Sequence, residues 1–236
     1  MQQFLSQRRN VAISAVATVV VLAAIAWVVL GNRHGANASH QAVGVAVACG
    51  TPIPTSTLQH FTVAAAQSSA TYSVKENLIL GGVGDRTTVG TTPGVAGDFF
   101  IRTTPSPLVA QVRLTIDLTK LTTDSSQRDR FVRQNYLQTD QFPTAEFNST
   151  CVNGLPATVS DGQDLSFQLV GNLSLHGKVN QETFTVKGKV AGSTITGTAT
   201  TDIFMTDFGI QPPDIANFAI ADNKVTLTLT FTAQQG

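Results

Sequence analysis

From Val225 to Thr232 apolar residues and threonines alternate without a break, Val225, Leu227, Leu229 and Phe231 against Thr226, Thr228, Thr230 and Thr232. Period two places the two sets on opposite faces of an extended strand, so the segment demands a sheet with one dry face and one wet face. The pattern recurs at Val112, Leu114, Ile116 and Leu118, and at Leu165, Phe167, Leu169, Leu173 and Leu175, where Gly171 takes the intervening inward position. Phe184, Val186 and Val190 repeat it across Gly188. Glycines at inward positions mark bends or a close approach of backbones. Turn residues separate these runs at Gly81-Gly82, Thr92-Pro93-Gly94, Pro105-Ser106-Pro107, Asp161-Gly162, His176-Gly177 and Gly192-Ser193. Strands spaced in this way close into a barrel or a sandwich, which makes the chain all-β. One short helix is predicted, capped by Asp124 or Ser125 and running to about Leu137. Its spacing exposes Arg128, Asp129, Arg130 and Arg133 and turns Phe131, Val132, Tyr136 and Leu137 inward.

The N-terminal part obeys different rules. Val11 to Leu30 is an uncharged run of 20 residues with Arg8 and Arg9 before it and Arg33 after it. A helix of that length spans roughly 30 Å, the hydrocarbon thickness of a bilayer. The excess of positive charge on the N-terminal side keeps residues 1–10 in the cytoplasm and places everything after Leu30 outside. Trp27 sits where an interfacial anchor would. Two alternatives stay open: a cleaved signal ending at Ala36-Asn37-Ala38, and a lipid anchor on Cys49 after Ala46-Val47-Ala48. Residues 31–60 are rich in Gly, Ala, Asn, Ser, Thr and Pro and read as a linker. Cys49 and Cys151 are the two cysteines, and outside the cytoplasm a disulfide between them is the plain expectation.

Residues 61–236 form the expected folded domain, large enough for a substantial core. With Arg8, Arg9 and Arg33 upstream, 12 basic residues face 15 acidic ones there, without a basic patch, so nucleic acid is excluded as a partner. The catalytic signatures of serine hydrolases, P-loop proteins and zinc proteases are missing, and Gly82-Val83-Gly84 lacks the third glycine of a dinucleotide loop. His176, next to Gly177 between two strands, reads as a hairpin residue, and no metal or cofactor is called for.

Several short segments, taken in order, carry a resemblance. Thr123 to Arg130, then Leu137 and Gln141-Phe142-Pro143-Thr144-Ala145-Glu146-Phe147, is similar to the centre of the YceI-like family. Gly171 to Gly177 resembles that family's central hairpin, Asp207-Phe208-Gly209-Ile210 its late loop, and Val225 to Thr232 its closing strand, so the likeness runs from about Phe61 to Ala233. The resemblance implies an exported bacterial protein with a lipocalin-like antiparallel β-barrel of about eight strands and one short helix, here preceded by a single transmembrane helix. It also implies a polyisoprenoid or other long-chain lipid held inside the barrel. Many members carry a cleavable signal where this chain carries an anchor, and the match is loose over Gly81 to Gly94.

An eight-stranded barrel is just wide enough to be filled by side chains or to hold one slender ligand. Phe dominates the aromatic residues, 13 against 2 Tyr and 1 Trp, which suits an isoprene chain and a filled core equally. The candidate lining residues are Val112, Leu114, Ile116, Phe147, Phe167, Leu169, Phe184, Val186, Leu227 and Leu229. Arg128-Asp129 is either a barrel-mouth salt bridge or a contact to a ligand head group. The function expected is therefore non-enzymatic: a membrane-tethered protein that carries or sequesters a lipid. The alternatives are an envelope interaction module with a filled barrel and an enzyme acting on lipid, and whether the chain forms a homodimer stays open.

Overall fold

The computed structural model describes residues 54–78, 84–215 and 219–236. The expected span 11–30, the linker up to Ile53, Cys49 and the Gly81-Gly82 turn lie outside them. Among the described residues no helix is long and apolar enough to cross a membrane. Among the described residues eleven strands form a single sheet: β1 (Gln59–Val63), β2 (Ser69–Leu78), β3 (Gly84–Thr92), β4 (Val95–Arg102), β5 (Leu108–Asp117), β6 (Thr144–Asn153), β7 (Asp164–Leu175), β8 (Lys178–Ala191), β9 (Thr194–Phe204), β10 (Asp214–Ile215) and β11 (Ala219–Gln235). The helix, α1, spans Ser126–Asn135.

β11, which contains the unbroken threonine alternation, closes the ring. One edge pairs with β9 from Lys224 to Gln234. The other pairs with β2 between Ala219 and Thr230, then with β1 between Ala233 and Gln235. β1 and β2 thus act as one strand interrupted at Ala65–Gln67, where Ser68 accepts a hydrogen bond from the Thr232 amide at 3.2 Å. β3 and β4 are likewise one strand broken at Pro93-Gly94, since β3 pairs with β2 and β4 with β1. The result is an antiparallel barrel of eight strand positions with no open edge at the β1 end.

The expected inward faces are the observed ones. Leu169, Leu173 and Leu175 of β7, Val186 of β8 and Val225 and Leu229 of β11 are buried. Gly171 leaves room for the Phe147 ring of β6, which lies 2.4 Å from where a Cβ would stand. His176 and Gly177, with φ of 50° and 72°, make the tight turn between β7 and β8 as expected. Leu118 lies one residue past β5, in a 3-10 turn, and is buried there. His60 belongs to β1, where it bonds Asp98 at 3.0 Å.

The helix departs from its reading in four respects. Ser125 caps it as expected, accepting from the Arg128 amide, but it ends at Asn135. Asp129 is buried, because its carboxylate accepts from the Thr123 amide at 2.7 Å and the Thr123 hydroxyl at 2.6 Å. Phe131 is exposed, resting edge-on against Tyr136 with ring centres 5.5 Å apart. Arg128 and Asp129 are not paired: Arg128 bonds Asp124, which also accepts from Arg86 of β3 at 3.0 Å. Cys151 on β6 is disulfide-bonded.

Candidate functional site

The barrel is filled at one end and hollow at the other. At the β1 end Phe61 stacks on Phe99 at 5.8 Å and Phe231 meets Phe99 edge-on at 6.3 Å, with Ile101 and Ile195 buried nearby in the core. Only a narrow void of about 70 Å³ remains there. Toward the α1 end the interior opens into a cavity of about 700 Å³, within the range of roughly 300–1,000 Å³ typical of small-molecule sites.

Register explains where the floor falls. β7 and β8 pair Leu169 with Phe184 and, two residues on, Phe167 with Val186. The first pair lines the large cavity and the second the narrow void, so the boundary runs between them. Phe147 packs edge-on against Phe184 at 5.0 Å and completes the floor. The roof comes from α1 and the segments on either side of it, through Leu121, Arg128, Phe131, Val132, Tyr136 and Leu137, and from Met205, Ile210 and Pro213 after β9.

Of the residues expected to line a ligand site, Leu114, Ile116, Phe147, Leu169, Phe184, Leu227 and Leu229 meet around the large cavity. Phe167 and Val186 line the narrow void instead, and Val112 is packed in the core without facing either. Strand periodicity identifies the inward face but not the height along the barrel axis, which the closing register sets.

Sequence reasoning missed several polar members of the wall, among them Tyr72, Glu76 and Thr88. Tyr72 and Glu76 share the inward face of β2 with Ala70 and Val74, a period-two run that ends in a carboxylate and was the available signal. Tyr72 lies directly opposite Gly90 of β3, and its ring covers the bare glycine. Burial pushes the Tyr72 hydroxyl up to about 12, against the pull of Arg128 and with Glu76 adding to the rise. Glu76 Oε1 and Thr88 Oγ1 are buried without a hydrogen-bond partner among the described residues. Asp124, at the rim, is held below the usual carboxylate range by its bonds to Arg86 and Arg128. No cluster of potential metal ligands occurs among the described residues.

A YceI-like domain model matches residues 61–233. The chain belongs to the YceI-like family. Among solved structures, this YceI-like chain is similar to a polyisoprenoid binding domain from Saccharophagus degradans implicated in plant cell wall breakdown, with TM-score 0.55 and 14% identity over 75% of this chain and 98% of that one. It is also similar to Burkholderia cenocepacia BcnA, with TM-score 0.57 and 18% identity over 73% of this chain and 99% of the other. At these identities the likeness establishes the shared barrel. No curated protein sequence matches the chain.

Proposed function

We propose that this YceI-like protein binds one slender apolar molecule, a polyisoprenoid or another long-chain lipid, without covalent chemistry, inside the hollow half of its barrel. The observation that carries the reading is the 700 Å³ cavity, walled by Leu, Ile, Val, Ala and Phe side chains on every strand that reaches it but β3, which contributes Thr88 and Thr92. Each methylene group moved from water into such a site contributes about 0.8 kcal/mol before ordering costs. At roughly 30 Å³ per water-sized group the space accommodates on the order of twenty carbon atoms. The polyisoprenoid-binding description of the S. degradans relative supports the same class of ligand. A barrel filled throughout, serving only as an interaction module, fits the β1 end but leaves the cavity without a role.

The physiological setting follows from the sequence reading: a domain outside the cytoplasmic membrane, tethered through residues 11–30, that stores or carries lipid beside the bilayer. Native mass spectrometry of the purified full-length protein, with organic extraction of whatever copurifies, tests the binding reading. A stoichiometric apolar adduct is the expected result. A bare mass that stays bare after incubation with polyprenols of 10 to 30 carbons, a range set around the estimate above, overturns it.

A further inference from the structure

The wall of the hollow half is mostly apolar, and two of its polar side chains hold buried oxygens without a partner among the described residues. Glu76 of β2 sits opposite Arg86 of β3, and Val74 opposite Thr88, so Glu76 and Thr88 are diagonal neighbours on the inward face, about 7 Å apart by ordinary strand geometry. Thr88 is 2% exposed, and its hydroxyl oxygen has no partner among the described residues; the same holds for Glu76 Oε1. Both line the cavity. Leaving two buried polar groups unpaired is costly, and native proteins retain such groups chiefly where something else satisfies them.

The surrounding charges define what that partner is. Arg86 and Arg128 are both bonded to Asp124, and Arg133 donates to the Leu121 carbonyl. Asp129 is buried behind them against Thr123. Asp124 and Asp129 thus have their hydrogen-bond partners, and the carboxylate whose buried oxygen is left without one among the described residues is that of Glu76. Tyr72 beside them keeps its proton over the whole neutral range, so its hydroxyl remains available as a donor.

We infer that Glu76 and Thr88 select the polar end of the lipid, Glu76 accepting a hydrogen bond from an uncharged hydroxyl head group and Thr88 donating one to it, and that they discriminate against anionic head groups. This rests on the lipid-binding reading above. A hydroxyl donates to Glu76 Oε1 and has lone pairs for the Thr88 hydroxyl. A phosphate or carboxylate offers only acceptors, which the Glu76 oxygen cannot pair with.

The test holds the chain constant and varies the head. Tritiated geranylgeraniol bound to the purified full-length protein is displaced by unlabelled geranylgeraniol or by geranylgeranyl phosphate. The alcohol is expected to compete at least about tenfold better than the phosphate, as the loss of one buried hydrogen bond implies. In Glu76→Gln that ratio falls several-fold while the alcohol still binds, and in Thr88→Val alcohol affinity drops with little change for the phosphate. Thermal unfolding of each variant confirms that it folds. Equal competition by alcohol and phosphate in the unaltered protein, or a ratio unmoved in Glu76→Gln, overturns head-group selection and leaves lipid binding standing. Failure of both compounds to bind overturns both readings.

Discussion

Two glycines on the inner wall lie under aromatic rings for different reasons, and alanine at each position separates them. At Gly90 a Cβ would stand 2.1 Å from Cε1 and 2.7 Å from Cζ of Tyr72, with no backbone atom among its nearest contacts. At Gly171 a Cβ would stand 2.4 Å from Cζ of Phe147 and also 2.5 Å from the Asn148 carbonyl oxygen, which belongs to the paired strand. Overpacking costs about 1–3 kcal/mol, against a gain of about 0.4–1 kcal/mol from stiffening the unfolded chain. Gly90→Ala should therefore lose about 1–2 kcal/mol, because the Tyr72 ring can swing into the cavity. That lowers Tm by roughly 2–8 °C for a domain of this size. Gly171→Ala should lose more, about 2–4 kcal/mol, since the strand itself must move. Urea unfolding of a double-mutant cycle decides the matter. Combining Gly90→Ala with Tyr72→Ala should show a favourable coupling of about 1–2 kcal/mol, well above the 0.3–0.5 kcal/mol scatter of independent sites. Phe147→Ala should rescue Gly171→Ala far less. Additive energies at Gly90, or full rescue at Gly171, would show that the rings do not lie where described.

The remaining expectations are shorter. Tyr72 has a folded pKa of about 12, above the unfolded value of 10.0, so the stability it contributes is complete below pH 10, is lost as pH rises toward 12, and amounts to at most about 2–3 kcal/mol. Alkaline unfolding followed by circular dichroism should lose that part of its pH dependence in Tyr72→Phe. Leu227→Trp projects an indole into the cavity, and extraction of the purified protein should then recover less lipid while Tm holds or rises; unchanged lipid content would place the ligand elsewhere. Asp129→Ala leaves the Thr123 amide without its partner and should cost about 1–3 kcal/mol in denaturant titrations. Reduction of the disulfide at Cys151 should lower stability by about 2–4 kcal/mol.

Much of the barrel was legible because its strands alternate so strictly. The inward faces of β5, β7, β8 and β11 follow from residues two apart, and Gly171 was recognisable as a close approach because it interrupts an otherwise apolar row. Which of those residues surround empty space was not legible. Val112, Phe167 and Val186 share faces with Leu114, Leu169 and Phe184, and only the closing register separates the filled level from the hollow one. The helix shows the opposite failure. Charge suggested that Asp129 faces water, but a carboxylate that finds a backbone amide and a hydroxyl at once is satisfied in the interior. Glu76 escaped notice because a single acidic residue at the end of a strand resembles surface polarity until its neighbours are known.

The seam at β11 sets a schedule for the molecule. Ser68 and Thr232, joined across it, are 164 positions apart in the chain. During synthesis at about 5–20 residues per second, β1, β2 and β9 wait with their hydrogen-bonding edges unoccupied until β11 arrives. For those seconds the nascent protein presents open strands and no enclosed interior. A substitution that slows the docking of β11 would consequently reduce the yield of folded protein more than it reduces the stability of molecules that complete the ring, and a lipid can enter only once the last strand has been laid down.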